Sequence, residues 1–298
     1  MMGVSIIKSI LLRPNRYKDV DFSASVSVLD ALAEKDCVIY VEDEFENSIP
    51  DNKAARMGKI VFSPLEKILP TADLCIVLGG DGSILDAVRR TAGYDIPIFG
   101  INLGRIGYMA EVEPCETEYL DRLFSGEYML DERMMLEVTH EREGKIIQKS
   151  FALNDAVVSK GSVSKVVEIE LYREQKKITR YRADGIIFAT PTGSTAYSMS
   201  AGGPIIDPHI ECICVTPVCP HSLGQRPLIF PKHAILCAKN ISSREKELYL
   251  TLDGNVNFAL AYGDTVQIKS APYKARLIRV KDFNFYDTVV QKIKNMGE

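Results

Sequence analysis

Apolar runs alternate with amphipathic stretches through about the first 110 residues. The runs IIKSILL, CVIYVE, LCIVL and IPIFGIN are separated by stretches such as FSASVSVLDALAEK and ILDAVRRTAG, whose apolar residues recur at helical spacing. This alternation is typical of parallel strands that are joined and covered by helices. The pattern predicts an N-terminal α/β domain with a parallel sheet.

The pattern changes at about residue 130. Segments such as MMLEVTHE, VVEIELYRE, ELYLTLDG and TVQIKS are short, often alternate between apolar and polar residues, and are separated by turn residues. Such segments are typical of antiparallel strands. We therefore predict a β-rich, antiparallel, sandwich-like C-terminal domain.

Two stretches with helical spacing flank this β-rich part. Tyr119, Leu123 and Phe124 are followed by Ser125-Gly126, a helix stop, and FNFYDTVVQKIKN near the C-terminus again has helical spacing. We predict an α/β domain over residues 1–128, a β-rich domain over 129–275, and a segment 276–298 that returns to the first domain.

Composition narrows the class of protein. The 36 basic and 40 acidic residues give a formal charge of −4, so no global field favours nucleic acid or an anionic membrane. No apolar run approaches the roughly 20 residues that span a bilayer, and the N-terminus suits a first strand better than a signal peptide. The seven cysteines, an odd number in apolar contexts, indicate a reduced, cytoplasmic protein without a disulfide framework.

The stretch LCIVLGGDGSILD, residues 74–86, predicts a strand, a glycine turn and a helix. Ser83 with Asp86 three positions later fits a capping box, so we place the helix start at Ser83. Gly79, Gly80, Gly82 and Ser83 then form a phosphate-binding turn, because glycines allow close approach and helix N–H groups attract anions.

Asp81 is unusual in such a turn. A carboxylate repels phosphate unless it binds a cation or accepts a hydrogen bond from a hydroxyl, and both roles serve phosphoryl transfer. An ordinary Asp-Gly turn remains the alternative from the residues alone. The chain has no GxxxxGK[ST], so the site is not a P-loop.

A second candidate site is DGIIFATPTGSTAYSMSAGGPI, residues 184–205. A strand, a proline turn and the hydroxyls of Thr192, Ser194 and Thr195 predict a short capped helix that holds an anion or a ribose, while Tyr197 offers an aromatic face. Plain helix capping is the alternative. TGSTA does not match the GxSxG pattern of a nucleophile elbow.

A third candidate, Asn154-Asp155, is either an Asx turn or a pair that clasps a diol. Cysteines 212, 214, 219 and 237 with His221 match no standard zinc spacing, so we predict that the cysteines are core residues and that His221 is a structural, hydrogen-bonded histidine.

Several motifs, in one order, resemble those of the NAD kinases, which phosphorylate the adenosine 2′-hydroxyl of NAD. They are GGDGS, GINLGRIGY, LND, DGIIFATPTGSTAYSMSAGGPI, CPHSLGQRP and DGN, and together they extend over most of the chain. The resemblance implies that the β-rich domain over 129–275 is dinucleotide-binding, with NAD bound between the two domains. It also implies a divalent metal with Mg²⁺ as the expected ion, ATP or polyphosphate as donor, and a homo-oligomer, either dimer or tetramer.

The resemblance also assigns residues by position. Asp81 is the implied general base with Gly82 beside it, although a metal-organising role fits equally well. The implied substrate-binding residues are Asp81, Gly82, Asn154, Asp155, Lys165, Arg182, Asp184, Thr195, Ala196, Tyr197, Ser200 and Asn255. No protein side chain is assigned as a metal ligand. Two rivals stay open: another GGDG-type kinase acting on lipid or sugar hydroxyls, and a non-catalytic dinucleotide-binding sensor.

Overall fold

The chain folds into two units, named here unit 1 and unit 2. In the computed structural model, residues 7–104, 107, 109–161, 166–222, 224–243, 248–282 and 284–295 are described. Unit 1 comprises Met1–Glu132 and Ala275–Glu298, and unit 2 comprises Arg133–Lys274. Among the described residues, no helix combines the length and apolar character needed to cross a bilayer.

Unit 1 contains a parallel sheet covered by helices. Its strands are β1 (Ser9–Arg13), β2 (Val38–Glu42), β3 (Ile60–Ser63), β4 (Leu74–Gly79) and β5 (Ile98–Asn102), in the order β5-β4-β1-β2-β3. The helices are α1 (Ser23–Leu32), α2 (Lys53–Arg56), α3 (Leu65–Ile68), α4 (Asp81–Thr91) and α5 (Leu120–Ser125), with 3₁₀ turns at Asp43–Phe45 and Thr117–Tyr119.

The central strands β4 and β5 are buried along their whole length, as expected for a parallel sheet whose two faces are both covered. Their apolar side chains pack with those of α1, such as Leu29 and Leu32, in one core. Strands β1 and β4 are neighbours, but the chain leaves β1 toward β2 and leaves β4 toward β5. The carboxyl ends of β1 and β4 therefore form a topological switch point, where ligands commonly bind.

Unit 2 contains two sheets that pack face to face. One has the order β13-β12-β11-β8-β15-β16, and the other contains β10-β9-β14-β17 with the hairpin β6-β7. The strands are β6 (Met129–Arg142), β7 (Lys145–Ala152), β8 (Asp155–Lys160), β9 (Val167–Arg173), β10 (Lys176–Ala183), β11 (Gly185–Ala189), β12 (Cys212–Val218), β13 (Leu228–Pro231), β14 (Leu236–Asn240), β15 (Leu248–Leu252), β16 (Val256–Leu260) and β17 (Thr265–Arg279). A 3₁₀ turn (Thr192–Thr195) and the short helix α6 (Tyr197–Ser200) lie between β11 and β12.

Alternation along these strands explains the sandwich. In β15, for example, Leu248, Leu250 and Leu252 are buried while the residues between them are partly exposed. Inward side chains from both sheets, including Phe188 and Leu236, share one core. The prediction of a parallel α/β part followed by a β-rich, sandwich-like part is confirmed.

The chain returns to unit 1 in its last part. Leu277 near the end of β17 pairs with Ile98 in parallel, and Ile278 and Val280 are buried in the core of unit 1. A last helix, α7 (Phe285–Asn295), follows. The Arg279 side chain is 2% exposed and pairs with Glu111 at 2.9 Å and with Asp131 at 3.2 Å. These contacts attach the returning segment to the first part of the chain.

Candidate active site

The glycine turn lies where β4 ends and α4 begins, but the helix starts earlier than the sequence predicts. Gly80 is the N-cap and Asp81 is the first helical residue, since the N–H groups of Ser83 and Ile84 donate to the Gly80 carbonyl at 2.9 and 3.2 Å. The predicted capping box of Ser83 and Asp86 is wrong.

Both polar side chains of that predicted box have partners elsewhere. The Ser83 hydroxyl accepts a hydrogen bond from the Asn15 side chain at 2.8 Å. Asp86 is surrounded by Arg13, Arg89 and Arg90. Their coulombic effects and a hydrogen bond from Arg90 lower the pKa of Asp86 even though its burial acts in the opposite direction. Asp86 is therefore an anchor for β1 and α4.

A close contact explains one of the glycines in this turn. A methyl group on Gly79 would lie 2.1 Å from the Ser83 Oγ and 2.5 Å from its Cβ, so no larger residue fits without displacing the helix start. A methyl group on Gly80 would lie 2.7 Å from the Lys18 Nζ, the end of a flexible side chain that can move aside. Gly82, by contrast, faces open space, because a methyl group there would have no atom within 4 Å.

The Asp81 carboxylate lies against the segment that follows β5. Its Oδ1 accepts a hydrogen bond from the Met109 N–H at 3.1 Å. A methyl group on Gly107 would lie 1.9 Å from the same oxygen, so only a glycine at this position admits the carboxylate. The motif GINLGRIGY is thus linked to the glycine turn through Asp81, although Tyr108 itself lies outside the described residues.

Asn15 and Lys18, in the loop after β1, join this site without having been predicted. Asn15 bonds Ser83, and the Lys18 ammonium lies beside Gly80 and also beside Gly104, where a methyl group would be 3.7 Å from the Nζ. The sequence did contain a signal for these two residues. In a parallel sheet the turns after β1 and β4 share one edge, so polar residues directly after the first strand belong near GGDGS.

In unit 2, residues from three separate motifs line one cavity of 340 Å³. Of the predicted residues, Asn154, Asp155, Ala196 and Tyr197 contribute to its wall. Strand residues and a turn complete the lining: Val157, Ser159, Thr251, Asp253 and Gly254. The LND, TGSTAY and DGN motifs, distant in sequence, therefore meet.

Asp253 holds the LND segment in place. Its carboxylate accepts hydrogen bonds from the backbone N–H groups of Leu153, Asn154 and Asp155, at 2.9, 2.7 and 3.1 Å. In the sequence, Asp253-Gly254 is indistinguishable from an ordinary turn pair, so the prediction missed this role. The role depends on a contact across about a hundred residues of sequence, which a single sequence does not display.

Two hydrogen-bond acceptors of this wall lack donors within the described part of the chain. Asn154 Oδ1 is buried without a partner, and no described donor contacts the carboxylate of Asp155. Asp155 is 4% exposed. Burial, and then the negative charge of Asp253, raise the pKa of Asp155 to about 7.

The TPTGST segment packs against this wall, but not as the capped helix that the sequence predicts. Thr192–Thr195 form a 3₁₀ turn and α6 is a single turn. The hydroxyls of Ser194 and Thr195 donate to carbonyls at 2.6 and 3.2 Å instead of capping N–H groups. That prediction is wrong, because Ala196 has a non-helical conformation that separates the two turns.

Gly193 explains how closely the two segments approach. A methyl group there would lie 2.0 Å from the carbonyl oxygen of Asn154 and 2.4 Å from its carbonyl carbon. Those atoms are backbone and cannot rotate away. The residue is glycine because LND and TPTGST touch at this point.

Other predicted residues lie apart from the described lining of this cavity. Thr195 is partly buried, Ser200 is exposed, and Asn255 is exposed in the turn that begins at Asp253. Arg182, on β10, is 3.5 Å from Glu168, and Asp184 pairs with Lys160 at 2.7 Å. Lys165 lies outside the described residues.

The cysteine predictions are only partly right. Cys212 and Cys214 are buried and Cys237 is half-buried, but Cys219 is exposed and is not a core residue, and His221 beside it is exposed as well. Cys219 lies in the loop that follows β12, with φ +44°. Among the described residues, no three His, Cys, Asp or Glu side chains cluster as a metal cage.

Comparisons with known proteins follow the two units. The model of the ATP-NAD kinase N-terminal domain matches residues 10–128, and that of the ATP-NAD kinase C-terminal domain matches residues 153–280. The NAD kinase of Symbiobacterium thermophilum is 45% identical over 242 residues, 80% of this chain and 85% of the relative. The NAD kinase of Natranaerobius thermophilus is 36% identical over 288 residues, 96% and 98% of the two chains.

Solved structures are similar as well. Yeast NADH kinase complexed with NADH gives a TM-score of 0.86 at 25% identity, covering 98% of this chain and 88% of that one. An NAD kinase from Archaeoglobus fulgidus in complex with ATP gives a TM-score of 0.67 at 22% identity, covering 96% and 98%. The second likeness is one of fold.

Proposed function

The chain belongs to the NAD kinase family of phosphotransferases, and we propose that it transfers a phosphoryl group to the 2′-hydroxyl of the adenosine ribose of NAD, giving NADP. The donor is ATP or polyphosphate together with a divalent cation. Unit 2 holds the dinucleotide and unit 1 holds the donor.

The observation that carries this proposal is the pair of acceptors in the wall of the unit 2 cavity. Asn154 Oδ1 and the Asp155 carboxylate face no donor among the described residues, and buried acceptors without donors cost free energy. A ribose diol supplies two O–H donors at short separation. Tyr197 and Ala196 in the same wall offer apolar surface to the rest of the nucleotide.

Asp81 is the proposed general base. Phosphoryl transfer proceeds through a loose transition state, so positioning and charge neutralisation matter more than a strong base, and an ordinary carboxylate suffices. Asp81 would accept the 2′-hydroxyl proton late in the transfer, while N–H groups of Gly79, Gly80 and Gly82 and the hydroxyl of Ser83 hold donor oxygens. Organising a cation is the other role that fits Asp81.

The residues present fit a divalent cation. Mg²⁺ keeps several waters and binds through one or two carboxylates together with substrate phosphates, so it needs no cage of protein side chains. Asp81 is the carboxylate at the glycine turn, where donor phosphates would supply the other oxygens. Bound there with the donor, the cation would neutralise phosphate charge.

The remaining predicted residues complete the dinucleotide site in this proposal. Thr195, Ser200 and Asn255 lie in the turns next to the cavity wall, and Arg182, Asp184 and Lys165 would contact the more distant parts of NAD. Their roles rest on the family motifs. The same motifs imply a homodimer or homotetramer, which light scattering of the purified protein tests, and the unpaired cysteines suit a cytoplasmic enzyme.

One assay tests the central claim. Purified protein is incubated with NAD, Mg²⁺ and either ATP or polyphosphate, and NADP is measured with an NADP-specific dehydrogenase. We expect NADP with at least one donor. Phosphorylation of diacylglycerol or a sugar without NADP would favour a different GGDG-type kinase, and dinucleotide binding without any turnover would favour a sensor.

A further inference from the structure

Thr190, the first residue of TPTGST, joins two of the segments that meet at the unit 2 cavity. Its side chain is 0% exposed and does not line the cavity. Its hydroxyl donates a hydrogen bond to the carbonyl oxygen of Leu153 at 2.6 Å and accepts one from the Gly193 N–H at 3.0 Å. One buried hydroxyl therefore links the LND segment to the 3₁₀ turn that follows β11.

The backbone of Thr190 holds the LND segment as well. Its N–H donates to the carbonyl oxygen of Asn154 at 2.9 Å, so Thr190 binds two successive carbonyl groups, those of Leu153 and Asn154. The Asp253 carboxylate binds the N–H groups of Asn154 and Asp155, at 2.7 and 3.1 Å. Thr190 and Asp253 thus hold the same stretch of backbone through different groups, one through its oxygens and the other through its N–H groups.

These contacts fix both peptide groups that flank Asn154. Each of the two has its oxygen bound by Thr190 and its N–H bound by Asp253. Because a peptide group is planar, fixing two successive planes also fixes the φ and ψ angles of the residue between them. Asn154 is that residue, and its Oδ1 is the buried acceptor without a described donor. The direction of this acceptor therefore depends on Thr190 as well as on Asp253.

The hydroxyl of Thr190 is chemically suited to this task. A hydroxyl donates one hydrogen bond and accepts another, whereas a valine side chain of nearly the same shape does neither. Leu153 and Gly193 are both buried, so without the hydroxyl the carbonyl and the N–H that it binds would lose their partner away from water. The two segments would regain partners only by moving, and that movement would turn Asn154.

We propose, on the basis of the proposed function, that Thr190 is a positioning residue for NAD. It orients Asn154 so that the amide oxygen accepts a hydrogen bond from the ribose, and it makes no contact with the dinucleotide itself. Its loss should therefore weaken the binding of NAD and leave the binding of the phosphate donor unchanged, because the donor site of the proposed function lies in unit 1 and shares none of these hydrogen bonds.

Conservative substitutions test this role. Thr190→Val keeps the shape of the side chain and removes the hydroxyl, so it should raise the KM for NAD about tenfold, the effect of one lost hydrogen bond to the ribose, while the KM for the donor stays within about twofold. Thr190→Ser keeps both hydrogen bonds and should have a KM for NAD within about twofold of the wild-type value. Thr91→Val, which removes a buried hydroxyl bonded to the Ala87 carbonyl in α4, is the matched control and should leave the KM for NAD unchanged. A normal KM for NAD in Thr190→Val would overturn the proposal.

A double-mutant cycle with Asn154→Ala separates positioning from a general loss of stability. Thr190→Val should lower Tm by about 5–10 °C, the effect of two buried groups without partners, and the same drop is expected when Asn154 is already replaced. The KM for NAD should respond differently. In the Asn154→Ala background, Thr190→Val should raise this KM by less than about threefold, because the side chain that Thr190 orients is gone. The same increase in both backgrounds would show that Thr190 does not act through Asn154.

Titration with NAD separates the role of Thr190 from the proposed kinase activity. Isothermal titration calorimetry measures the Kd for NAD without turnover, and this Kd should rise in Thr190→Val by the same factor as the KM. Absence of NADP from the wild-type protein with every donor would refute the proposed kinase activity. An equal Kd for NAD in the wild type and Thr190→Val would instead overturn the role of Thr190, whether or not NADP is made.

Discussion

At the scale of single residues, the site depends on carboxylates in different environments. Asp81 is half-buried at the start of a helix and accepts a hydrogen bond from one backbone N–H group. Asp253 accepts hydrogen bonds from three backbone N–H groups. Asp155 is buried, and no described donor contacts its carboxylate. The same chemical group therefore serves as a candidate base, a backbone clasp and a ligand acceptor. The surroundings of each aspartate decide its role, and the residue type alone does not.

Replacing Asp81 by Asn tests the proposed chemistry. Asn keeps the size and an acceptor for Met109 but removes the charge, so turnover should fall about 10²-fold or more, the range of acid–base catalysis, while the protein stays folded. Steady-state kinetics and circular dichroism give the two readouts. The control Asp36→Asn removes an equally charged but 94% exposed side chain. Turnover close to that of the control would reject the role.

Asp155 makes stability depend on pH. Its pKa is about 7 in the folded protein against 3.8 for an ordinary carboxyl, so the folded state binds the proton more tightly than the unfolded state does. The stabilisation is complete below the unfolded value and is lost as the pH rises through 7. From pH 5 to pH 8 the wild type should lose about 3 kcal/mol of unfolding free energy relative to Asp155→Asn.

Urea denaturation followed by circular dichroism at several pH values measures this difference. Asp36→Asn should show a pH-independent offset from the wild type above pH 5, because its carboxyl is exposed and titrates below that range. If the difference in unfolding free energy between the wild type and Asp155→Asn were equally independent of pH, Asp155 would have an ordinary pKa in the folded protein.

At the scale of elements, the sequence pattern predicts more about strands than about turns. The runs LCIVL and IPIFGIN identify β4 and β5 because full burial leaves a continuous apolar signature. The predicted start of α4 is wrong because Asn15 and Arg13, from another strand and its loop, recruit Ser83 and Asp86. Partners that are distant in sequence override a local capping pattern, and one sequence does not reveal them.

Alanine substitutions at two glycines of the turn, Gly79 and Gly82, should have opposite effects on stability. Gly82→Ala adds a methyl group in open space within a helix and should raise the unfolding free energy by up to about 1 kcal/mol. Gly79→Ala drives a methyl group into Ser83 and should lower it by about 1–3 kcal/mol. Thermal or urea unfolding of the two variants compares them directly.

The same two variants distinguish an effect on stability from an effect on donor binding. If donor phosphates approach Gly82, its methyl variant should be more stable yet show a KM for the donor raised about tenfold, the effect of a lost charge-assisted hydrogen bond, with the KM for NAD unchanged. A Gly82→Ala protein with normal kinetics would remove Gly82 from the phosphate site, and a Gly79→Ala protein as stable as wild type would contradict the contact with Ser83.

At the scale of the whole molecule, unit 1 is assembled from two distant stretches of chain. Periodicity in FNFYDTVVQKIKN indicates a final helix, but the strand end and the buried arginine that join this segment to unit 1 carry no local signature. Arg279 looks like any charged residue near a C-terminus. Only its position between Glu111 and Asp131 makes it a core residue.

Arg279→Leu should destabilise unit 1 strongly. Removing one member of a buried, hydrogen-bonded charge cluster leaves the others uncompensated, which costs about 3–5 kcal/mol. Arg56→Leu, at an exposed pair with Asp51, should cost less than about 1 kcal/mol. Hydrogen exchange measured by mass spectrometry should show faster exchange across β4 and β5 in the first variant. Equal stability of the two variants would contradict a structural role for the cluster.

The Asp253 clasp has a thermodynamic consequence. Three consecutive amides are tethered to one carboxylate, so the loop carrying Asn154 and Asp155 is already immobile before any nucleotide arrives. The ordering entropy of that loop is lost once, during folding, and is not lost again at each association event. Binding at this wall should therefore retain most of its contact energy as affinity, and removing the carboxylate of Asp253 should weaken affinity chiefly because the loop must then be ordered at each binding event.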